Sequence, residues 1–244
     1  VTLRTEQRTI ARRVLREMAR LWPQLDPERI DETWLPLVAL IERVVASEHS
    51  VASQVGIAEY LALRGAEGVT SVFLPSPAAL ALEAVRTSLT VTGPVAMKLA
   101  IRRGLPRPQA SKLALVQLQG AAARHVLNGV RDTTLAAVAA DPEVLGWARI
   151  ARPGGCAFCV MLSTRGGVYR SKETALTSKS GTAYHDHCGC VTQPIFSETW
   201  SPPSYMRRFE ELYESSTRDS YGKDKQRAFA VALAQSREKQ QMAA

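Results

Sequence analysis

Apolar residues recur at helical spacing through the first 140 positions, and the chain reads there as a succession of amphipathic helices. Residues 4–22 place Ile10, Val14, Met18, Leu21 and Trp22 on one face, with arginines on the other, and Pro23 and Pro27 end the run. Asp31 is the expected N-cap of a second helix carrying Trp34, Leu37, Val38, Ile41, Val44 and Val45. Its pattern continues through Val55, Ala58, Tyr60 and Leu61 to about Arg64, with a break expected near Ser47–Ser50. Pro75 and Pro77 precede a helix over 77–91, and Thr92-Gly93-Pro94 reads as a turn before a short helix ending at Gly104. A longer helix is expected from Pro106 to about Gly129, and a last helical piece over 132–140 with Asp132 as its cap.

From about Leu145 the period changes. Short apolar runs between glycines suit strands and loops, and Trp147–Ile150, Val168–Tyr169 and Val191–Phe196 are the expected strands. Pro202 and Pro203 start a closing helical segment with Tyr205, Phe209, Leu212 and Tyr213, whereas Tyr221–Ala244 reads equally as a docked helix or a frayed tail. The fold class is therefore mainly α with a small α+β module. The expected organisation is a helical region over 1–144, a module over 145–200 and a C-terminal segment over 201–244.

Charge changes the picture next. The formal net charge is +8, and no acidic residue lies between Glu83 and Asp132. A second acid-free stretch separates Glu143 from Glu173. Such a field attracts polyanions, so Arg102, Arg103, Arg107, Arg149 and Arg152 are the candidate contacts to nucleic acid or an acidic partner. Aromatics do not interleave with them, which argues against base stacking on single strands. No run approaches the roughly 18 apolar residues that cross a bilayer, and the arginine-studded N-terminus does not read as a secretion signal. The thiols are accordingly expected in a reducing compartment, which disfavours disulfides.

All four cysteines fall in two clusters, Cys156-Ala-Phe-Cys159 and Tyr184-His185-Asp186-His187-Cys188-Gly189-Cys190. Thiolate and imidazole are the preferred donors of zinc, and a structural tetrahedral site wants four. The C-x-x-C spacing lets two sulfurs reach one ion from a tight loop. The expected ligands are Cys156 and Cys159 with two of His185, Cys188 and Cys190, and spacing alone leaves that choice open. A redox C-x-x-C pair lacks the strand-to-helix context and leaves the second cluster unexplained. Catalytic zinc patterns such as H-E-x-x-H, or H-x-E before P-C-x-x-C, are absent. A zinc-stapled His-Asp-His nuclease would use Asp186-His187 but needs a further Asn or His on a following helix, and no histidine follows His187. A zinc-ribbon DNA-binding module is a further alternative. No enzyme activity is expected.

Residues of roughly 33–196 resemble the phage Mu protein F-like minor head proteins, in the branch of actinobacterial phages. The resemblance rests on Gly146-Trp147-Ala148-Arg149, Cys156-Ala-Phe-Cys159-Val-Met-Leu162, Arg165-Gly166-Gly167-Val-Tyr169 and Tyr184-His185-Asp-His-Cys188-Gly-Cys190, with Pro194 and Phe196. Ser88-Leu89 with Thr92-Gly93-Pro94, and Val126-Leu127-Asn128-Gly129 with Arg131, add to it. It implies a structural minor capsid protein acting in head morphogenesis, a virion component of the capsid interior or portal vertex that is made in the bacterial cytoplasm. Its implied partners are the portal protein or the major capsid protein, or both, and, as for some members of the family, packaged double-stranded DNA, with no membrane. His185, Cys188 and Cys190 are the shared motif positions. Some relatives carry a fused protease or toxin, for which about 50 residues beyond the motif leave no room.

Overall fold

The computed structural model describes residues 2–164 and 184–242. The expected strand at Val168–Tyr169, and the Arg165–Tyr169 part of the resemblance, lie outside the described residues. Among the described residues the structure is mainly helical with one small two-stranded sheet, and the chain divides into two compact units.

The first unit comprises Val1–Ala62, Val72–Ala137 and Tyr184–His187. Helix α1, Leu3–Leu21, starts at Thr2, whose hydroxyl accepts the Thr5 N–H at 3.4 Å, and it buries Ile10, Val14, Met18 and Leu21. A single turn of 3₁₀ helix, Trp22–Gln24, places Pro23 where its missing N–H costs nothing. Helix α2, Ile30–Ala66, runs 37 residues without the break expected near Ser47–Ser50. Glu48 there is held by Arg13 of α1 at 2.6 Å, and His49 and Ala52 are buried, so tertiary packing overrides the weak helix formers.

The helix expected over 77–91 begins later, as α3, Leu82–Thr90. Residues 72–81 form no regular secondary structure, with Phe73 against Tyr60 and the Ala78 N–H donating to the Thr133 hydroxyl at 2.9 Å. Pro75 and Pro77 hold this segment open, because the residue before each proline is pushed out of helical geometry. The turn expected at Thr92-Gly93-Pro94 is instead a π turn, Val91–Val95, that carries the chain straight from α3 into α4, Ala96–Arg102. The wider turn accommodates Pro94, which has no N–H to give.

Helix α5, Arg107–Ala140, continues through Gly129 and Asp132, where an end and a new cap were expected. Gly129 is there for close approach. A Cβ on it would sit 2.5 Å from the His49 carbonyl oxygen of α2, and one on Gly56 of α2 would sit 3.0 Å from the Val130 carbonyl oxygen. Two glycines thus let the backbones of α2 and α5 touch. Asp132 lies inside the helix, and burial pushes its carboxyl up from the ordinary range.

The second unit comprises Leu63–Ser71, Val138–Ala183 and Cys188–Ala244. Strand β1, Gly146–Ile150, pairs antiparallel with β2, Val191–Ile195, in the register Gly146↔Ile195 to Ile150↔Val191. Every residue of β1 is buried, which explains why its run alternates so little. The short helix α6, Ala157–Ser163, follows the first cysteine. Helices α7, Ser204–Thr217, and α8, Lys223–Met242, pack with it, Tyr213 meeting Phe229 edge-on at 5.5 Å. The undecided C-terminal stretch is thus helix, with Phe229 and Leu233 in the core. Arg64 donates to the Asp141 carboxylate at 2.8 Å, and both side chains are nearly or wholly buried.

Candidate metal centre

Three sulfurs converge in the second unit. Cys159 on α6 and Cys188 and Cys190 just before β2 are all buried, and their sulfur atoms lie within 4.8 Å of one another. Cys159 Sγ is 3.4 Å from Cys188 Sγ, too far for a disulfide and close to the roughly 3.7 Å that separates two sulfurs on one tetrahedral zinc. The fourth thiol, Cys156, is the N-cap of α6, where its sulfur accepts the Cys159 N–H at 3.4 Å. This exposed thiol precedes the buried Cys159 by one helical turn.

The loop that presents Cys156 is built from three sides. Gly155 N–H donates to the Arg152 carbonyl at 2.8 Å, and a Cβ on Gly155 would meet that oxygen at 3.0 Å. Arg237 of α8 donates to the Pro153 and Gly155 carbonyls at 3.1 and 2.5 Å. Tyr205 of α7 donates its hydroxyl to the Ala151 carbonyl at 2.8 Å. Sequence reasoning missed Arg237 and Tyr205, since neither lies near a cysteine in the chain.

Without a cation the cluster disfavours thiolates. Hydrogen bonds with Cys188 and Cys190, with burial, push the Cys159 thiol far up. For Cys190, a hydrogen bond with Cys159 pulls down, but the contact with Cys188 and burial outweigh it, and the thiol is pushed up to about 12. A divalent cation reverses that balance by binding the deprotonated sulfurs. The donor set therefore fits a thiophilic metal.

Two arginines expected to contact nucleic acid or an acidic partner are placed around this cluster. Arg149, on β1, is 1% exposed, so it is not a surface contact, and its charge pulls the Cys190 thiol down. Arg152 is exposed, and its side chain lies over Gly189, between Cys188 and Cys190. Arg102, Arg103 and Arg107 are exposed in the first unit, but Arg107 is matched by Glu28 at 3.0 Å.

The residues before Cys188 are held in the first unit. Tyr184 packs under the Arg131 guanidinium, 4.0 Å from its ring centre, and the Asp186 carboxylate accepts from Arg124 at 2.7 Å. His187 has a positive φ of 61°, and its ring fills the space over Gly120, where a Cβ would come within 2.5 Å. His185 Nδ1 is 2.6 Å from the Asp186 carbonyl oxygen. An Asp-His pair that activates water needs its carboxylate free to orient the imidazole. Here Asp186 is turned to Arg124 and His187 to the α5 backbone.

A family profile described as VG15 protein matches residues 1–216. The chain belongs to the VG15 family. That makes it a phage-associated gene product, and the match takes in all four cysteines, both strands and most of α7. No curated protein and no solved structure matches the chain. Helix α8, which carries Arg237, lies beyond the part of the VG15 chain that the profile covers. No helix among the described residues is long and apolar enough to cross a membrane.

Proposed function

We propose that this VG15 protein is a structural, non-enzymatic minor component of the phage head, of the Mu F-like kind, braced by one zinc ion. The observation that carries the reading is the convergence of Cys159, Cys188 and Cys190 from two distant segments of a VG15-family chain. Cys156 is the fourth ligand favoured by its place on the same helix as Cys159, and His185 competes for that position on sequence spacing. The ion would supply cross-linking rather than reactivity. Four protein ligands leave no place for water.

The need for such a brace follows from the sheet. Two five-residue strands are marginal alone, and the metal would tie α6 to the start of β2. Arg149 and Arg152 would offset the negative charge of a multi-thiolate site. The Arg124–Asp186 pair supports a non-catalytic role for the His-Asp-His segment. The helical region would dock on portal or capsid subunits.

The test has two arms. Elemental analysis of freshly purified full-length protein should give about one zinc per chain, lost in Cys159→Ser and Cys188→Ser. Comparing Cys156→Ser with His185→Ala then identifies the fourth ligand. Mass spectrometry of purified phage heads should find the chain at low copy number. Metal-free protein, or heads lacking the chain, would overturn the corresponding half of the proposal, and plasmid nicking abolished by Asp186→Ala would replace it with a nuclease.

A further inference from the structure

The α3–α4 rod is apolar on two opposite sides. Its inner side is used: Leu89, Gly93, Pro94, Met97 and Ala100 are buried, and a Cβ on Gly93 would strike Leu118 at 2.8 Å. Its outer side carries Val91, Val95 and Leu99, which are 54%, 37% and 39% exposed at successive spacings of four residues. From Val91 to Ile101 the only charged residue is Lys98, which is paired with Asp31. A helix apolar all round belongs in a core, so a rod with one such side in water is built to be covered.

Charge says what covers it. Four basic residues of the acid-free stretch are neutralised inside the chain, Arg86 by Glu42, Lys98 by Asp31, Arg107 by Glu28 and Arg124 by Asp186. Arg102 and Arg103 are exposed and have no such carboxylate among the described residues. They follow Leu99 by three and four positions, so they extend the same outer face. The result is a stripe about 18 Å long, apolar for its first two turns and doubly positive at its end.

We infer that this stripe, Val91–Val95–Leu99–Arg102/Arg103, is the docking site for an amphipathic helix of another protein, with Leu, Ile or Val along its seam and Asp or Glu at one end. Duplex DNA would meet the two arginines but leave the three aliphatic side chains against water and phosphate. A second copy of the chain would bring its own excess of positive charge to the same place. The inference rests on the head-protein reading only for where the partner is found.

A photo-crosslinking amino acid at Leu99, and separately at Val95, reads the surface directly in cells producing the phage. Each position is exposed, so the substitutions spare the fold, which a thermal melt monitors. Crosslinking at the exposed Arg12 of α1 is the control. The expected product is one protein, joined through a peptide with apolar residues at helical spacing beside Asp or Glu. Arg102→Glu with Arg103→Glu should lower the yield at Leu99 at least about tenfold and leave the Arg12 pattern unchanged. Nuclease-sensitive products, a crosslink to a second copy, or no product at either position would overturn the inference. Because photolysis precedes head purification, absence of the chain from heads would sink the head reading without deciding this one.

Discussion

The buried pair of Arg64 and Asp141 invites a quantitative test. Their side chains are 6% and 0% exposed, the Nε–Oδ2 distance is 2.8 Å, and the carboxylate also accepts the Glu143 N–H at 3.0 Å. Replacing Asp141 with Ala strands a guanidinium in the interior of the second unit. Arg64 keeps its bonds to the Ser71 carbonyl and, at 2.6 Å, to the Ser71 hydroxyl, so it is not wholly orphaned. Removing one member of a buried pair costs about 3–5 kcal/mol, and the surviving bonds place Asp141→Ala near the lower end. Arg64→Met with Asp141→Leu removes both charges and should recover most of that loss, since a well-packed apolar pair is often as stable. Urea unfolding followed by tryptophan fluorescence reports on the fully buried Trp147 of the same unit. A double variant that loses the sum of the two single losses would refute the reasoning, because the two charges would then act independently.

Other expectations follow from the same geometry. Chelating the proposed zinc should abolish amide-exchange protection in Gly146–Ile150 and Val191–Ile195 while leaving that of α1 unchanged. Arg149→Met should weaken binding of the proposed zinc by about tenfold or more, measured by competition with a chromophoric chelator, because a buried charge that favours thiolate is lost. Gly129→Ala should destabilise by about 2 kcal/mol in a thermal melt, as its methyl meets the His49 carbonyl, whereas Gly65→Ala, with open space around it, should stabilise by about 0.5 kcal/mol. His125 is held down to about 4 by burial first and then by Arg124, with Asp186 opposing. The unfolded chain therefore takes up the proton first as pH falls below about 6.5. Stability should drop from there towards pH 4 by up to about 2 kcal/mol once partial exposure is allowed for, and His125→Gln should flatten that part of the profile.

The helices, the two flanking strands and the thiol clusters were legible because each is a local pattern. Helical period survives in α1 and α2, and cysteine spacing survives any fold. What escaped is what depends on the partner across a contact. Gly129 reads as a helix stop unless one knows that the α2 backbone needs its missing side chain. Thr92-Gly93-Pro94 reads as a turn unless Trp34 and Leu118 are known to press on Gly93. Arg149 reads as surface charge, because its burial comes from a ribbon covered on both faces. The acid-free stretch overstated the field, since its counter-charges, Glu28, Asp31, Glu42 and Asp186, lie outside it in the chain.

The grip of Arg237 on the Gly155 carbonyl closes a span of 82 residues. The chain through Arg237 must therefore have left the ribosome before the first cysteine loop can take its final form. Until then the Cys156 thiol of the nascent chain stays open to solvent, to stray metals and to oxidants.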